Sequence, residues 1–215
     1  MALALFDLDN TLLNGDSDHA WGLFLAKVGA VDADQQEQMQ DYFYQQYLAG
    51  SLDIDEFLEF QLKPLTQHSV AQLHAWRIEF IDQIIQPMLD NGKTNLLAPH
   101  REAQDKIIII TATNDFITRP IADMLGVNTL LATTVEFIEG RYTGNYVGTP
   151  CFAEGKVGKL NGWMADHQHS LQESYFYSDS INDLPLLKQV KHPIAVTPDE
   201  QLRDHAEKAG WQIID

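Results

Sequence analysis

Two aspartates one residue apart, Asp7 and Asp9, follow the apolar run Leu3–Phe6 and lead into Thr11. Carboxylates that close repel one another unless a cation or a shared proton relieves them. Later stretches hold residues of complementary type: a KIIIIT run ending in Thr111, Lys156 directly after Gly155, and YSDSIND with Asp179, Asn182 and Asp183. Several carboxylates build an all-oxygen site suited to Mg²⁺, which keeps its own waters and takes only a few carboxylates. A hydroxyl, an ammonium and an amide are donors for a phosphoryl group. Each feature alone has an ordinary alternative. Aspartate is common in turns after strands, Thr111 is a β-branched strand residue, and lysine is by default a surface residue. Together they point to metal-assisted phosphoryl chemistry.

Residues so far apart converge only if they share the carboxyl end of one parallel sheet. Leu3–Phe6 reads as a buried strand. Lys106–Thr111 is another, followed by a helix over Asn114–Leu125 with Gly126 as its stop. Asn128–Thr134 reads as strand and Val135–Gly148 as a hairpin. Gly155–Asp166 reads as helix, Ser174–Tyr177 as strand, and Asp183–Lys188 as helix. Ile194–Val196, Glu200–Ala209 and Trp211–Ile213 close with strand, helix, strand. Alternation of this kind predicts an α/β fold, a doubly wound parallel sheet covered on both faces.

Residues 15–90 break the alternation. Helices are expected over Ser17–Val28, over Asp34–Ala49, from Asp53 to before Pro64, and after Ser69, where Leu73, Trp76, Phe80, Ile81 and Ile84 recur at helical spacing. The expectation is a helical insert packed on itself, 15–90, within a core formed by 1–14 and 91–215. Gly15 and Gly92 suggest hinges near Asn14–Ser17 and Asp90–Thr94.

Acidic residues number 31 against 14 basic ones, a formal charge of −17. That field repels nucleic acid and anionic membrane surfaces, and it favours metal cations and substrates carrying positive groups. A single cysteine, Cys151, excludes an internal disulfide and suits a reducing compartment. The apolar start is too short for a signal peptide and no run reaches membrane-spanning length, so the expected location is the cytoplasm. None of the eight histidines shows zinc-ligand spacing.

DLDNT at 7–11, the strand ending in Thr111, Lys156, and DSIND at 179–183 resemble, in order, the four motifs of the haloacid dehalogenase (HAD) superfamily of aspartate-nucleophile phosphohydrolases. The likeness covers nearly all of the chain outside 15–90, and that segment falls where the family inserts its helical C1 cap. The cap and SDSINDLPLL are most similar to the phosphoserine-phosphatase-like branch. The resemblance implies a Rossmann-like core and a Mg²⁺-dependent hydrolase of a small phosphomonoester, acting through an aspartyl-phosphate. It implies Asp7 as nucleophile and Asp9 as general acid and base. Mg²⁺ would sit on the Asp7 carboxylate, the Asp9 main-chain carbonyl and the Asp179 carboxylate. Thr111, Lys156 and Asn182 would hold the phosphoryl oxygens, with Asp183 positioning Lys156 or a metal-bound water.

In the same branch an acidic residue soon after the first motif binds the substrate amine, and Asp16 holds that place. The branch's cap arginine for a substrate carboxylate has no match among Lys27, Lys63 and Arg77. Acidic cap residues such as Asp16, Asp18, Asp53 and Glu56 suit instead a cationic ester without a carboxylate. The stretch DLDNTLLNGDSDHAW is also similar to HAD-type histidinol-phosphatases, so histidinol phosphate is expected ahead of phosphoserine. A phosphatidylglycerophosphate-type substrate, transfer to an acceptor other than water, and a silent phosphometabolite-binding module are the rival readings.

Overall fold

The structure, a computed structural model, describes residues 2–89 and 91–215. Among them, seven strands form one sheet: β1 (Leu3–Phe6), β2 (Lys106–Asn114), β3 (Thr129–Ile138), β4 (Arg141–Val147), β5 (Ser174–Ser178), β6 (His192–Val196) and β7 (Gln212–Ile214). Their order is β4-β3-β2-β1-β5-β6-β7, and every pair is parallel except β3 with β4. β1 is wholly buried, as its unbroken apolar run requires when both faces are covered. Strand order runs one way from β1 through β2 and the other way through β5, so the sheet's switch point lies beside β1. Ligands of open α/β sheets bind in the crevice beyond the carboxyl ends at such a point.

Register decides what meets there. Phe6 lies opposite Ile109 on β2 and Tyr177 on β5. Asp7, Thr111 and Asp179 therefore leave three adjacent strands at nearly one level.

The helical segment comprises α1 (Ser17–Lys27), α2 (Ala33–Leu48), α3 (Ile54–Leu62), α4 (Pro64–Gln67) and α5 (Val70–Phe80), which continues through a π-helical stretch, Ile81–Ile85, into α6 (Gln86–Met88). Asp16, Asp32, Asp53 and Ser69 each accept main-chain N–H bonds at the starts of α1, α2, α3 and α5. Two short helices that the sequence reading lacks come next, α7 (Asn91–Thr94) and α8 (Ala98–Glu102). α9 (Asp115–Met124), α10 (Glu154–His167), α11 (Leu184–Leu187) and α12 (Glu200–Ala209) complete the alternation. Leu160, Leu186 and Leu202 cover one sheet face with Leu5 and Ile110; Phe116, Ile117 and Ile121 cover the other with Phe6 and Ile109.

Three expectations need amendment. The insert is not packed on itself alone. Trp21 and Phe80 do meet, 5.1 Å between centroids, but Trp21 also reaches Phe116 of α9 at 5.8 Å, and one apolar cluster runs from Leu73 to Ile109. Short helices bury their faces more fully against an existing core than against each other. Second, β2 does not end at Thr111; it continues to Asn114 past a register shift against β3. Third, the expected strand at 128–134 and the first arm of the expected hairpin are one strand, β3, which turns back at Glu139–Gly140 into β4. Positive φ at both turn residues, 50° and 79°, gives the tight connection that matches strand twist.

Where the chain enters and leaves the insert, Leu13 and Leu89 form an isolated antiparallel bridge and the Asn14 amide donates to the Met88 carbonyl at 2.7 Å. The expected boundary at residue 90, and with it Asp90 of the second expected hinge, lies outside the described residues.

Gly155 opens α10 under severe constraint: a Cβ there would lie 1.9 Å from the Pro150 carbonyl oxygen. Backbone oxygen cannot swing aside, so Gly155→Ala should cost about 1–3 kcal/mol by overpacking and lower Tm by several degrees. Gly158→Ala, where an added Cβ meets nothing within 4 Å, is the control and should hold or raise Tm. Equal Tm values for the two variants would reject this account of the turn.

Candidate active site

Asp7 extends β1 by one residue, its amide donating to the Tyr177 carbonyl at 2.9 Å. That bond fixes the carboxylate at the switch point. Lys156, in the first turn of α10, reaches it from below: Nζ donates to Asp7 Oδ1 and to Asp183 Oδ2, both at 2.8 Å. Ser178 Oγ donates to the same Asp183 oxygen at 2.6 Å. Asp7, Lys156 and Asp183 are all buried. Burial disfavours the Lys156 ammonium, yet the Asp183 and Asp7 carboxylates outweigh it and hold the lysine charged.

Asp9 is gripped at both oxygens. The Ser17 amide donates to Oδ1 at 2.6 Å and Thr113 Oγ1 donates to Oδ2 at 2.8 Å. Burial, with Asp16 adding to it, pushes the Asp9 carboxyl up to about 6 against these two donors. Burial likewise pushes Asp7 up to about 7, Lys156 pulling it back and Asp183 and Asp9 pushing it further. Asp179 accepts from Thr11 Oγ1 at 3.0 Å, and burial together with Asp7 and Asp183 holds its carboxyl well above the usual range.

All eight residues singled out in the sequence line one cleft of about 170 Å³: Asp7, Asp9, Asp16, Thr111, Lys156, Asp179, Asn182 and Asp183. Asp16 spends Oδ1 on the Asp18 and His19 amides, 2.9 Å each, as the cap of α1. Although its surface is open to cleft solvent, burial by the surrounding protein, with Asp7 adding to it, raises the Asp16 carboxyl above its ordinary range against the His19 and Asp18 amides. Thr111 is buried, its Oγ1 accepting from the Thr113 amide at 3.2 Å. Asn182 stands beside Ser180, whose Oγ also takes the Tyr47 hydroxyl proton at 2.5 Å.

Thr113, Ser178 and Tyr47 escaped the sequence reading. Thr113 stands two residues beyond Thr111, the strand period that puts both hydroxyls on one face, so its signal was present. Tyr47 had none, since it reaches the core from α2 across the cleft. Arg77 points elsewhere: Nη1 donates to the Phe116 carbonyl at 2.8 Å and the guanidinium lies over the Phe116 ring at 4.6 Å. Among the described residues, Lys156 is the one lysine or arginine that lines the cleft.

No three Asp, Glu, His or Cys side chains among the described residues converge as a ready-made metal cage. The arrangement instead pairs two mutually repelling carboxylates, Asp7 and Asp179, beside open volume. Such a set suits Mg²⁺, which fills its remaining positions with water and substrate oxygens.

The sequence profile of haloacid dehalogenase-like hydrolases matches residues 4–188. A histidinol-phosphatase of Neisseria meningitidis serogroup C (strain 8013) is 45% identical over 216 residues, spanning 99% of this chain and 97% of that protein. A phosphoserine phosphatase of Mycobacterium tuberculosis (strain ATCC 25618 / H37Rv) is 32% identical over 220 residues, spanning 100% of this chain and 70% of the other. Among solved structures, a protein of unknown function from Bordetella pertussis Tohama I is similar at TM-score 0.93 and 45% identity, covering 100% of this chain and 98% of that one. A phosphoserine phosphatase solved as a phospho-aspartyl intermediate analogue shares the fold at TM-score 0.73 and 17% identity, covering 99% and 92%.

Burial first, then Asp16 and Asp9, raise the Asp18 carboxyl well above the ordinary carboxylate range. Folding thus favours its protonated form. The stability it contributes is complete below the unfolded pKa of about 3.9 and is lost as pH rises through the higher folded value. Asp18→Asn carries no such loss, so its Tm advantage over the unsubstituted protein should widen between pH 5 and pH 8. Thermal melts showing a constant difference across that interval would refute the assignment.

Proposed function

The chain belongs to the haloacid dehalogenase-like hydrolase family as a phosphatase, and on that premise we propose that it hydrolyses histidinol phosphate through an aspartyl-phosphate on Asp7. Lys156 holds Asp7 Oδ1, which stops the carboxylate rotating and leaves its second oxygen for in-line attack on phosphorus. The new bond joins that oxygen to phosphorus as the ester C–O–P bond breaks on the far side. Asp9 gives its proton to the departing alkoxide, and the Ser17 amide and Thr113 hydroxyl then stabilise the carboxylate left behind. In the second half, Asp9 takes a proton from the water that attacks the aspartyl-phosphate, releasing phosphate and restoring Asp7. Thr111, Lys156 and Asn182 hold the phosphoryl oxygens, and Asp183 keeps Lys156 in place through its own pair of contacts. Asp7, the Asp9 carbonyl and Asp179 would hold Mg²⁺, which when bound offsets the repulsion between carboxylate nucleophile and phosphate.

The observation that carries the choice of ester is the sign of the cleft wall. Among the described residues, the cap presents Asp16 and Asp18 there, and neither a lysine nor an arginine. A substrate carboxylate would meet these acids without a bidentate guanidinium to hold it. Histidinol phosphate carries an amine and an imidazole in place of that carboxylate. Phosphoserine remains the second reading, favoured by the name of the mycobacterial relative and, among the described residues, by no lysine or arginine in the cleft beyond Lys156. No helix among the described residues is long and apolar enough to cross a membrane. We assign the protein to the cytoplasm on its unpaired cysteine, which suits a reducing compartment.

Hydrolysis of p-nitrophenyl phosphate should require Mg²⁺, stop with chelator, and fall at least about 10³-fold in Asp7→Asn. Undiminished turnover in that variant would remove Asp7 as nucleophile. In a panel of small phosphomonoesters, kcat/KM for histidinol phosphate should exceed that for phosphoserine by at least about tenfold. A preference for phosphoserine ends the argument from the acidic wall.

A further inference from the structure

Four buried side-chain polar atoms among the described residues have no hydrogen-bond partner: Ser17 Oγ, Asp18 Oδ1, Gln40 Oε1 and Arg119 Nε. Two of the four belong to cleft-lining residues, Asp18 and Gln40, each only 7% exposed. Both are acceptors. We propose that Asp18 Oδ1 and Gln40 Oε1 form a receiving pair for the N–H donors of the substrate's nitrogenous ring; this rests on the phosphatase reading above and extends it to the atoms that choose the ester.

The orientation of each side chain is dictated by its other end. Gln61 Nε2 donates to Asp18 Oδ2 at 2.8 Å, committing that oxygen and leaving Oδ1 over. Gln40 Nε2 donates to the His19 carbonyl at 2.9 Å. A carbonyl only accepts, so the Gln40 amide must turn its nitrogen there and its oxygen away. Gly22 makes this reach possible: a Cβ at that position would lie 2.3 Å from Gln40 Nε2. Three helices, α1, α2 and α3, thus cooperate to hold two side-chain oxygens in the cleft wall.

Buried polar atoms are almost always satisfied in folded proteins, and those that are not call for a specific reason. Two unsatisfied acceptors in one cleft wall find that reason in a ligand bearing donors. The surroundings specify its shape. Phe43 and Phe57 line the same cleft, edge to face at 5.3 Å, with Tyr47 and Phe152 nearby. A flat ring with N–H groups on its rim satisfies both the aromatic sides and the acceptors. Protonated imidazole offers two such groups, and its positive charge beside Asp18 draws that carboxyl into the ionised, accepting form. A carboxylate in the same place would set oxygen against oxygen, which rejects it.

The test compares two inhibitors of p-nitrophenyl phosphate hydrolysis by the unsubstituted Mg²⁺-loaded enzyme. Histidinol and phenylalaninol share an amine and a hydroxyl, but only the first has ring N–H. Histidinol should inhibit at least about tenfold more tightly, the margin a hydrogen-bonding site enforces against an analogue that lacks the donor. Equal inhibition overturns the proposal. Asp18→Asn and Gln40→Met should each erase most of that difference, judged in variants whose melting confirms folding, whereas Leu23→Ala, exposed on α1, should keep it. A difference that survives both substitutions also overturns the proposal. Failure of the functional reading looks different: histidinol phosphate would then be hydrolysed no faster than phosphoserine, while the inhibitor comparison would still decide the acceptor pair.

Discussion

One buried ammonium organises the catalytic end of this molecule. Lys156 is clamped between Asp7 and Asp183, and six aspartates among the described residues line the same small cleft. A buried ion pair contributes little net stability, because desolvation consumes most of the Coulombic gain. Its value lies in geometry. Removing the cation would leave carboxylates facing one another in a low-dielectric space, so the lysine must arrive at one place. The chain ensures this by opening α10 with Gly155 wedged against the Pro150 carbonyl, which fixes the first turn before Lys156 extends from it. Asp183 in turn is held by Ser178 at the end of β5, so the clamp ties α10 to the strand beside β1.

The same logic explains why the helical segment is stitched to the sheet domain rather than resting on it. Trp21 and Phe116 share one apolar cluster, Tyr47 reaches Ser180, Tyr146 of β4 reaches Asp55 of α3, and Gln201 Nε2 donates to the Leu48 carbonyl at 3.2 Å. These contacts tie α1, α2 and α3 to the sheet domain. They place the acidic wall of α1 and the aromatics of α2 and α3 opposite the strand ends. Tyr47 is the most telling of them, because its partner Ser180 lies between Asp179 and the 3₁₀ turn that carries Asn182 and Asp183.

Much of the candidate site was legible in the sequence because it sits where local rules are strong. Apolar runs ending in polar residues identify strand ends, and a parallel sheet must bring those ends together whatever lies between them. The helices of the insert were legible for the same reason, whereas the capping roles of Asp16, read as a substrate residue, and of Asp32 were not. What escaped depended on distant partners. β2 runs past Thr111 because β3 is there to pair with Asn114, and the helices over 91–102 form on a stretch with no clear amphipathic period. The insert read as packed on itself, and the burial of Trp21 against Phe116 could not be seen without knowing where α9 lies. Gln40 carried no signal at all: a glutamine in a Gln-rich helix is by default solvated, and only the packing of α2 on Gly22 turns it inward.

Charge closes the physical argument. A chain with a formal charge of −17 should repel a phosphate dianion on approach, and at an ionic strength of ~0.15 M that repulsion is screened beyond about 8 Å. Inside the cleft, screening fails and the local balance decides. Lys156 is already shared by two carboxylates, so the phosphate needs positive charge from elsewhere, which a divalent ion between Asp7 and Asp179 would supply. On the function proposed above, the remaining imbalance lies on the helical side, at Asp16 and Asp18, and there the substrate would offset it. An ester whose far end is cationic brings its own counter-charge to the wall and arrives with a smaller net charge. An ester whose far end is a carboxylate adds to the repulsion at both steps. On that same proposed function, such selectivity needs no arginine, since the acids that would exclude the wrong ester are the ones that would hold the right one.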